Sequence, residues 1–263
     1  MSIELTDIRA GYGDFTLEGI TTTIREGSLS ALIGPNGCGK STLLKTIARQ
    51  LRLERGAVRI AGHDIAALST RAVARQVAVL PQQPVVPPGI SVEQLVGYGR
   101  APHQNLFGLR SREDQDRIDA ALDAVAMTGL RRRLVSELSG GQRQRAFLAM
   151  CIAQDTPYVL LDEPTSFLDI RYQYEVLELT AALHKAGKTV VAVLHDIAHA
   201  ARFATDLVVM KSGRLYATGA PDEVITPDLM SRVYGIDAHV YPDPVTGTKV
   251  VSPQPTGLPV MPG

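Results

Sequence analysis

Gly34-Pro35-Asn36-Gly37-Cys38-Gly39-Lys40-Ser41 follows the short apolar run Ser28–Ile33 and opens a helix-forming run from Lys40 to about Gln50. The pattern G-x4-G-K-S/T between a strand and a helix is a phosphate-binding loop. Glycines let backbone N–H groups turn inward around an anion, and the helix N-terminus adds roughly half a positive charge. Lys40 has the reach for β- and γ-phosphates, while the Ser41 hydroxyl, with Thr42 beside it, suits Mg²⁺. Pro35, Asn36 and Cys38 fill the loop. A thiol at a helix N-terminus next to a lysine is expected to have a lowered pKa, although a spacer role is the simpler reading of Cys38.

Working outward, Tyr158-Val159-Leu160-Leu161-Asp162-Glu163 is a buried strand ending in two carboxylates. Beside a phosphate loop, Asp162 is placed to hold Mg²⁺ through water. Glu163 is placed to polarise an attacking water, a task worth roughly 10²–10⁴-fold in rate. Strand-like runs at 3–8, 15–24, 57–60, 76–80, 189–194, 207–210 and 214–217 alternate with helical ones at 169–185 and up to 204, which indicates an α/β fold with a mainly parallel sheet. Gln82 to Gly89 contains three prolines and reads as a stiff linker, since proline fixes φ and removes a donor. It leads into a helical stretch near 88–155, where Ser91 with Gln94 and Ser139 with Gln142 are capping-box starts and Ser111 opens a helix to about Met127. The tail 253–263 is expected to be disordered.

Of 263 residues, 27 are Lys or Arg and 27 are Asp or Glu, and this zero net charge argues against nucleic acid as the main partner. Two cysteines are too few for a disulfide framework and fit a reducing compartment. The N-terminus lacks the basic start and apolar core of a secretory signal, and no apolar run approaches the ~18–20 residues of a membrane span. A soluble protein is expected, with any membrane role coming through a partner.

Leu138-Ser139-Gly140-Gly141-Gln142 supplies a second anion site at a helix start, although the chain already has its phosphate loop. Two half-sites on one chain suggest two chains closing over the nucleotide. With this run the chain resembles an ATP-binding-cassette (ABC) ATPase, whose signature is LSGGQ. The resemblance implies a P-loop NTPase of the ABC-cassette fold: a mainly parallel core sheet, an N-terminal antiparallel β subdomain and an inserted helical subdomain, all within one domain over 1–252. It also implies ATP and Mg²⁺ as ligands. By the same resemblance Tyr12 stacks on adenine, Gln82, with Gln83 beside it, touches Mg²⁺, and His195 contacts the γ-phosphate and steadies Glu163. Asp169 belongs to the loop that crosses the dimer, and it serves equally as the N-cap of its helix. Catalysis thus falls to Glu163, His195, Lys40 and Gln82, metal contact to Ser41, Gln82 and Asp162, and nucleotide contact to Tyr12, Gly34 through Thr42, Ser139 through Gln142, and Asp169.

The segments Tyr98–His103, Gln142–Met150 and Val193–Asp196, and Leu168-Asp169-Ile170 with Gln173, resemble bacterial ferric-siderophore import ATPases of the ferric-citrate and enterobactin type. Tyr172 departs from the His usual in that family. Haem and cobalamin import ATPases share most of the pattern, and cassette ATPases without a transport role usually carry a long coiled-coil insert or a second cassette. The resemblance implies a homodimer docked on membrane permease subunits at the cytoplasmic face of the inner membrane, served indirectly by a substrate-binding protein, with no nucleic acid.

Overall fold

The computed structural model describes residues 2–104 and 109–255. Strands β1 (Ile3–Tyr12) and β2 (Phe15–Ile24) pair antiparallel, Tyr12 opposite Phe15, around a turn in which Gly13 takes a φ of 53°. Next, β3 (Leu29–Ile33) leaves for a second sheet, with all of its positions buried. β4 (Arg55–Ile60) returns to pair with β1, and β5 (His63–Asp64) completes a four-stranded sheet ordered β2-β1-β4-β5.

The second sheet carries the site. β6 (Val77–Leu80), β7 (Tyr158–Leu161), β8 (Thr189–Val193), β3 and β9 (Asp206–Lys211) run parallel, and β10 (Arg214–Gly219) adds an antiparallel edge, in the order β10-β9-β3-β8-β7-β6. Its central strands are near-continuous Val, Leu, Ile and Ala because both faces are covered. Alternate residues serve two cores: Ile33, Leu80, Leu161, Ala192 and Val209 face one, and Leu32, Leu160, Val191, Val208 and Met210 face the other. The second core also takes up the inner face of the antiparallel sheet and of α1 (Lys40–Ile47).

α2 (Thr70–Gln76) follows β5. The expected helical insert comprises α3 (Val92–Tyr98), α4 (Arg112–Ala124) and α5 (Gly140–Gln154), packed on the first core. Each opens on a capping box, at Ser91 with Gln94, Ser111 with Asp114 and Ser139 with Gln142. α4 stops short of the expected Met127 because Ala126 turns left-handed at φ 53°. Inside the insert, Arg100 Nε donates to Asp114 Oδ1 at 2.8 Å and its Nη1 to the Ala153 carbonyl at 2.8 Å, both side chains being about 5% exposed. Arg71 and Arg75, on α2, both donate to the Pro102 carbonyl, at 2.8 and 2.9 Å, and so tie the insert to the core.

α6 (Ile170–Lys185) and α7 (Ile197–Phe203) flank β8. The short helices α8 (Pro221–Val224) and α9 (Pro227–Leu229) lead to a hairpin of β11 (Ala238–Pro242) and β12 (Lys249–Pro253). This hairpin corrects the expected start of the tail. Pro253 pairs with Ala238 at the strand end, where its missing N–H is tolerated, and the Gln254 N–H donates to the Asp237 carbonyl at 2.8 Å. Residues 256–263 of the expected tail lie outside the described residues.

Candidate active site

The four adjacent strands β3, β8, β7 and β6 bring their C-terminal ends to one edge, where open α/β sheets bind ligands. β3 leads into the phosphate-type loop and α1, β7 into Asp162 and Glu163, β8 into His195 and β6 into Gln82. With Tyr12 and Phe15 from the β1–β2 turn, residues Asn36, Gly37, Gly39, Lys40, Ser41, Thr42, Gln82, Glu163 and His195 line one cavity of about 500 Å³.

The loop is held from behind. Gly34 has φ 143°, and a Cβ there would stand 2.1 Å from the Met210 carbonyl oxygen at the end of β9. Gly39, at φ 103°, packs so closely that a Cβ would meet Leu17 Cδ2 at 2.6 Å and Phe15 Cζ at 2.7 Å. In the β9–β10 turn the Gly213 N–H donates to the Cys38 carbonyl at 3.0 Å, and the Gly213 carbonyl accepts from Glu18 N–H at 2.9 Å. Lys40 Nζ curls over the loop and donates to the carbonyls of Gly34, at 2.8 Å, and Pro35, at 3.0 Å. Gly34, Pro35 and Cys38 do not line the cavity. Cys38 also departs from its expected acidity: burial pushes its thiol up, and the nearby Lys40 charge and hydrogen bonds only partly oppose this.

Ser41 Oγ donates to Asp162 Oδ1 at 2.6 Å. Asp162 is buried, and that burial holds its carboxyl above the usual range, with Glu163 adding to the shift and Ser41, Lys45 and His195 opposing it. Glu163 sits at φ 51° and is gripped from three directions. His195 Nε2 lies 2.5 Å from Oε1, while Gln82 Nε2 and Ser166 Oγ donate to Oε2 at 2.6 and 2.9 Å. Burial alone would raise its pKa, but the bonds from His195, Ser166 and Gln82 and the His195 charge outweigh it, so Glu163 lies below the usual carboxylate range and is ionised at neutral pH. Gln82 rather than Gln83 reaches the cavity.

Ser139, Gly140, Gly141, Gln142 and Asp169 do not line this cavity. Ser139 Oγ accepts from the Gln142 N–H at 3.3 Å and Gln142 Oε1 from the Ser139 N–H at 3.1 Å, while the Cβ position of Gly140 faces open space. Gly141 lies against Tyr172, whose ring carbon a Cβ would approach to 2.7 Å. Asp169 is the N-cap of α6 and accepts from Tyr172 N–H at 3.1 Å. Next to it, Phe167 at φ 62° is 89% exposed and Ile170 is 73% exposed. The signature run and the Phe167–Ile170 loop thus share an outward-facing surface. Gln144 Nε2 joins α5 to the loop after Glu163 by donating to the Pro164 carbonyl at 2.9 Å.

Sequence reading missed Phe15 as a cavity wall and Ser166 as a Glu163 donor. The first was findable, because a tight hairpin at Gly13-Asp14 sets residue 15 opposite Tyr12. The second has no sequence signal of its own, since it depends on the positive φ of Glu163. Among the described residues no cluster of three His, Cys, Asp or Glu is arranged to hold a metal. The Ser41 hydroxyl, the Asp162 carboxylate and the Gln82 amide are hard oxygen donors, and so few of them suit Mg²⁺, which keeps waters and substrate phosphates as its other ligands.

A family model described as "ABC transporter" matches residues 17–166. The chain is 44% identical over 251 residues to the iron(3+)-hydroxamate import ATP-binding protein FhuC of Bacillus subtilis (strain 168), covering 95% of this chain and 93% of the relative. It is 44% identical over 245 residues to the ferric enterobactin transport ATP-binding protein FepC of Escherichia coli (strain K12), covering 92% and 90%. In three dimensions it superposes, with a TM-score of 0.72 and 27% identity over 83% of this chain and 98% of the other, on an ATP-binding cassette solved as a dimer in a post-hydrolysis state bound to ADP and Pi. The phosphate loop, the carboxylate-ended strand β7 and the Ser139–Gln142 helix start all fall within the family match. The chain therefore belongs to the ABC transporter family and is one of its ATPase cassettes.

Proposed function

We propose that residues 1–252 form one cassette that hydrolyses ATP to power ferric-siderophore import, as a homodimer docked on permease subunits at the cytoplasmic face of the inner membrane. A substrate-binding protein delivers the chelate to the permease. The observation that carries the catalytic half is the grip of His195, Gln82 and Ser166 on an ionised Glu163 at the wall of the phosphate-loop cavity. The cargo rests on the near full-length likeness to import proteins for iron chelates.

In this mechanism the adenine lies on the exposed ring of Tyr12, and the loop amides from Gly34 to Thr42 enclose the phosphates. Lys40 exchanges the carbonyls of Gly34 and Pro35 for β- and γ-phosphate oxygens. Mg²⁺, held by Ser41, by Asp162 through water and by Gln82, would neutralise developing charge on the phosphates. Glu163 accepts a hydrogen bond from the attacking water. Its lowered pKa makes it a weak base, so its contribution is to orient and polarise that water rather than to ionise it beforehand. His195 holds Glu163 from one side and is placed to meet the γ-phosphate.

The second copy completes the site. Ser139 and Gly140, exposed at the positive end of the 15-residue α5, bind the γ-phosphate held by the partner, with Gly141 seated behind them against Tyr172. Asp169 crosses the same interface. ATP closes the pair, hydrolysis reopens it, and the permease follows that motion.

The test is uptake of radiolabelled ferric citrate, hydroxamate and catecholate chelates, haem and cobalamin in cells lacking this chain and its sibling ATPases. Loss of one ferric chelate, restored by the wild type and not by Glu163→Gln, is the expected result. Loss of haem or cobalamin uptake instead reassigns the cargo and leaves the ATPase in place. Normal uptake of all five overturns the importer reading.

A further inference from the structure

A second cavity, of about 300 Å³, opens between the helical insert and the core, walled by α4, the end of α5, β7 and α6. It shares no lining residue with the nucleotide cavity. Its walls are apolar: Ala121 and Ala124 come from α4, Ile152 from α5, and Leu179, Ala182 and Leu183 from α6. Alanine on the two facing helices leaves the space that longer side chains would fill. The volume lies at the lower end of small-ligand pockets, about 300–1,000 Å³.

The mouth is polar and carries excess positive charge. Asp155, the left-handed C-cap of α5 at φ 52°, places one carboxylate between two cations from different parts of the chain. Its Oδ2 lies 3.2 Å from Arg117 Nη1 on α4, and its Oδ1 lies 2.8 Å from Lys188 Nζ beyond α6. The Lys188 hydrogen bond holds the Asp155 carboxyl below the usual range against its burial, so it is ionised at neutral pH. One carboxylate cannot saturate a guanidinium with five donors and an ammonium with three. An apolar trough ending in two under-used cations matches a molecule with an apolar body and one anionic end.

We propose that this cavity binds a small amphipathic monocarboxylate, its body between α4 and α6 and its carboxylate at Arg117 and Lys188. The site is independent of the cargo and of the cassette's catalytic chemistry. Inorganic phosphate lacks the apolar body, and a neutral analogue lacks the charge.

Calorimetric titration of the full chain, in excess ADP to fill the first cavity, compares 3-phenylpropionate with 3-phenylpropan-1-ol and inorganic phosphate. Saturable one-to-one binding of the carboxylate is expected, with affinity at least tenfold above that of either control. Ala182→Leu on the exposed side of α6, and separately Ala124→Leu on α4, fill the trough and should each weaken binding at least tenfold, with ADP binding unchanged. Two plugs from opposite walls guard against one of them disturbing the fold. Lys188→Gln should weaken binding several-fold. No saturable binding, equal affinity for the alcohol, or undiminished affinity in both plugged variants or in Lys188→Gln overturns the proposal.

Discussion

His195 Nε2 stands 2.5 Å from Glu163 Oε1 although the two residues follow different strands. The pairing of β7 with β8 produces this approach: Leu161 registers with Ala192, so Glu163, two residues on, and His195, three residues on, emerge side by side. A one-residue slip would exchange the faces of β8 and separate them. Sheet register therefore brings the pair together, and the left-handed backbone of Glu163 just past β7 completes the approach.

Glu163→Gln keeps the size of the side chain and removes its charge. ATP turnover should fall by roughly 10²–10⁴-fold, the usual worth of such a group, while ATP binding persists. Size-exclusion chromatography with ATP should then show an accumulated dimer. Turnover near the wild-type rate would refute the role of Glu163.

Lys40→Ala tests the loop. Nζ bonds to the loop carbonyls of Gly34 and Pro35 and lies 3.9 Å from Cys38 Sγ, so the fold should survive while nucleotide affinity drops at least tenfold in a fluorescent-ATP titration. Binding equal to the wild type would contradict the phosphate-loop assignment.

Ser139→Arg places a long cation where the Ser139 surface is exposed and the next residue faces open space. Monomer ATP binding should be untouched, because Ser139 lies outside the nucleotide cavity. ATP-dependent dimerisation should be lost in light scattering. A normal dimer would sink the two-chain site.

The Arg100–Asp114 pair makes a separate prediction about stability and pH. Removing the guanidinium in Arg100→Leu strands a buried carboxylate, which costs about 3–5 kcal/mol, and Arg100→Leu with Asp114→Leu should recover most of it. Burial raises the Asp114 pKa, but the bonds from Ser111 and Arg100 more than offset this and hold it below its ordinary 3.8. The stabilisation it supplies is therefore full above pH 3.8 and is lost as pH falls through the lowered folded value. In Arg100→Leu, where burial of the carboxyl is opposed only by Ser111, this acid-dependent loss should shrink or reverse, because protonation relieves the stranded charge, read by urea denaturation across pH 3–6.

Much of this was legible because the signals were local. β2 and β7 lie where their Thr-, Val- and Leu-rich runs place them, and the capping boxes at Ser91 and Ser139 need only a hydroxyl and a glutamine three residues apart. α2 was not legible, since Thr70–Gln76 buries only Val73 and shows no apolar period. The 221–253 region was missed for a related reason: its short helices and hairpin are stabilised by packing against α7, β9 and β10 rather than by their own pattern. Within the site, residue types could be read from spacing, but the positive φ of Glu163 and the resulting Ser166 bond arise only from tertiary closure.

The turn at Gly213 braces the nucleotide loop through the Cys38 carbonyl while its own carbonyl is anchored by Glu18. A loop locked in this way, with Gly34 seated on Met210, arrives in its binding shape and has little conformational freedom left to surrender when nucleotide enters. The edge hairpin β9–β10 thus acts as a mould for a loop far away in the chain. A Cβ at Gly213 would stand 2.4 Å from the Thr16 carbonyl oxygen, so damage there would reach the phosphates as a softened template without any residue that touches them having changed.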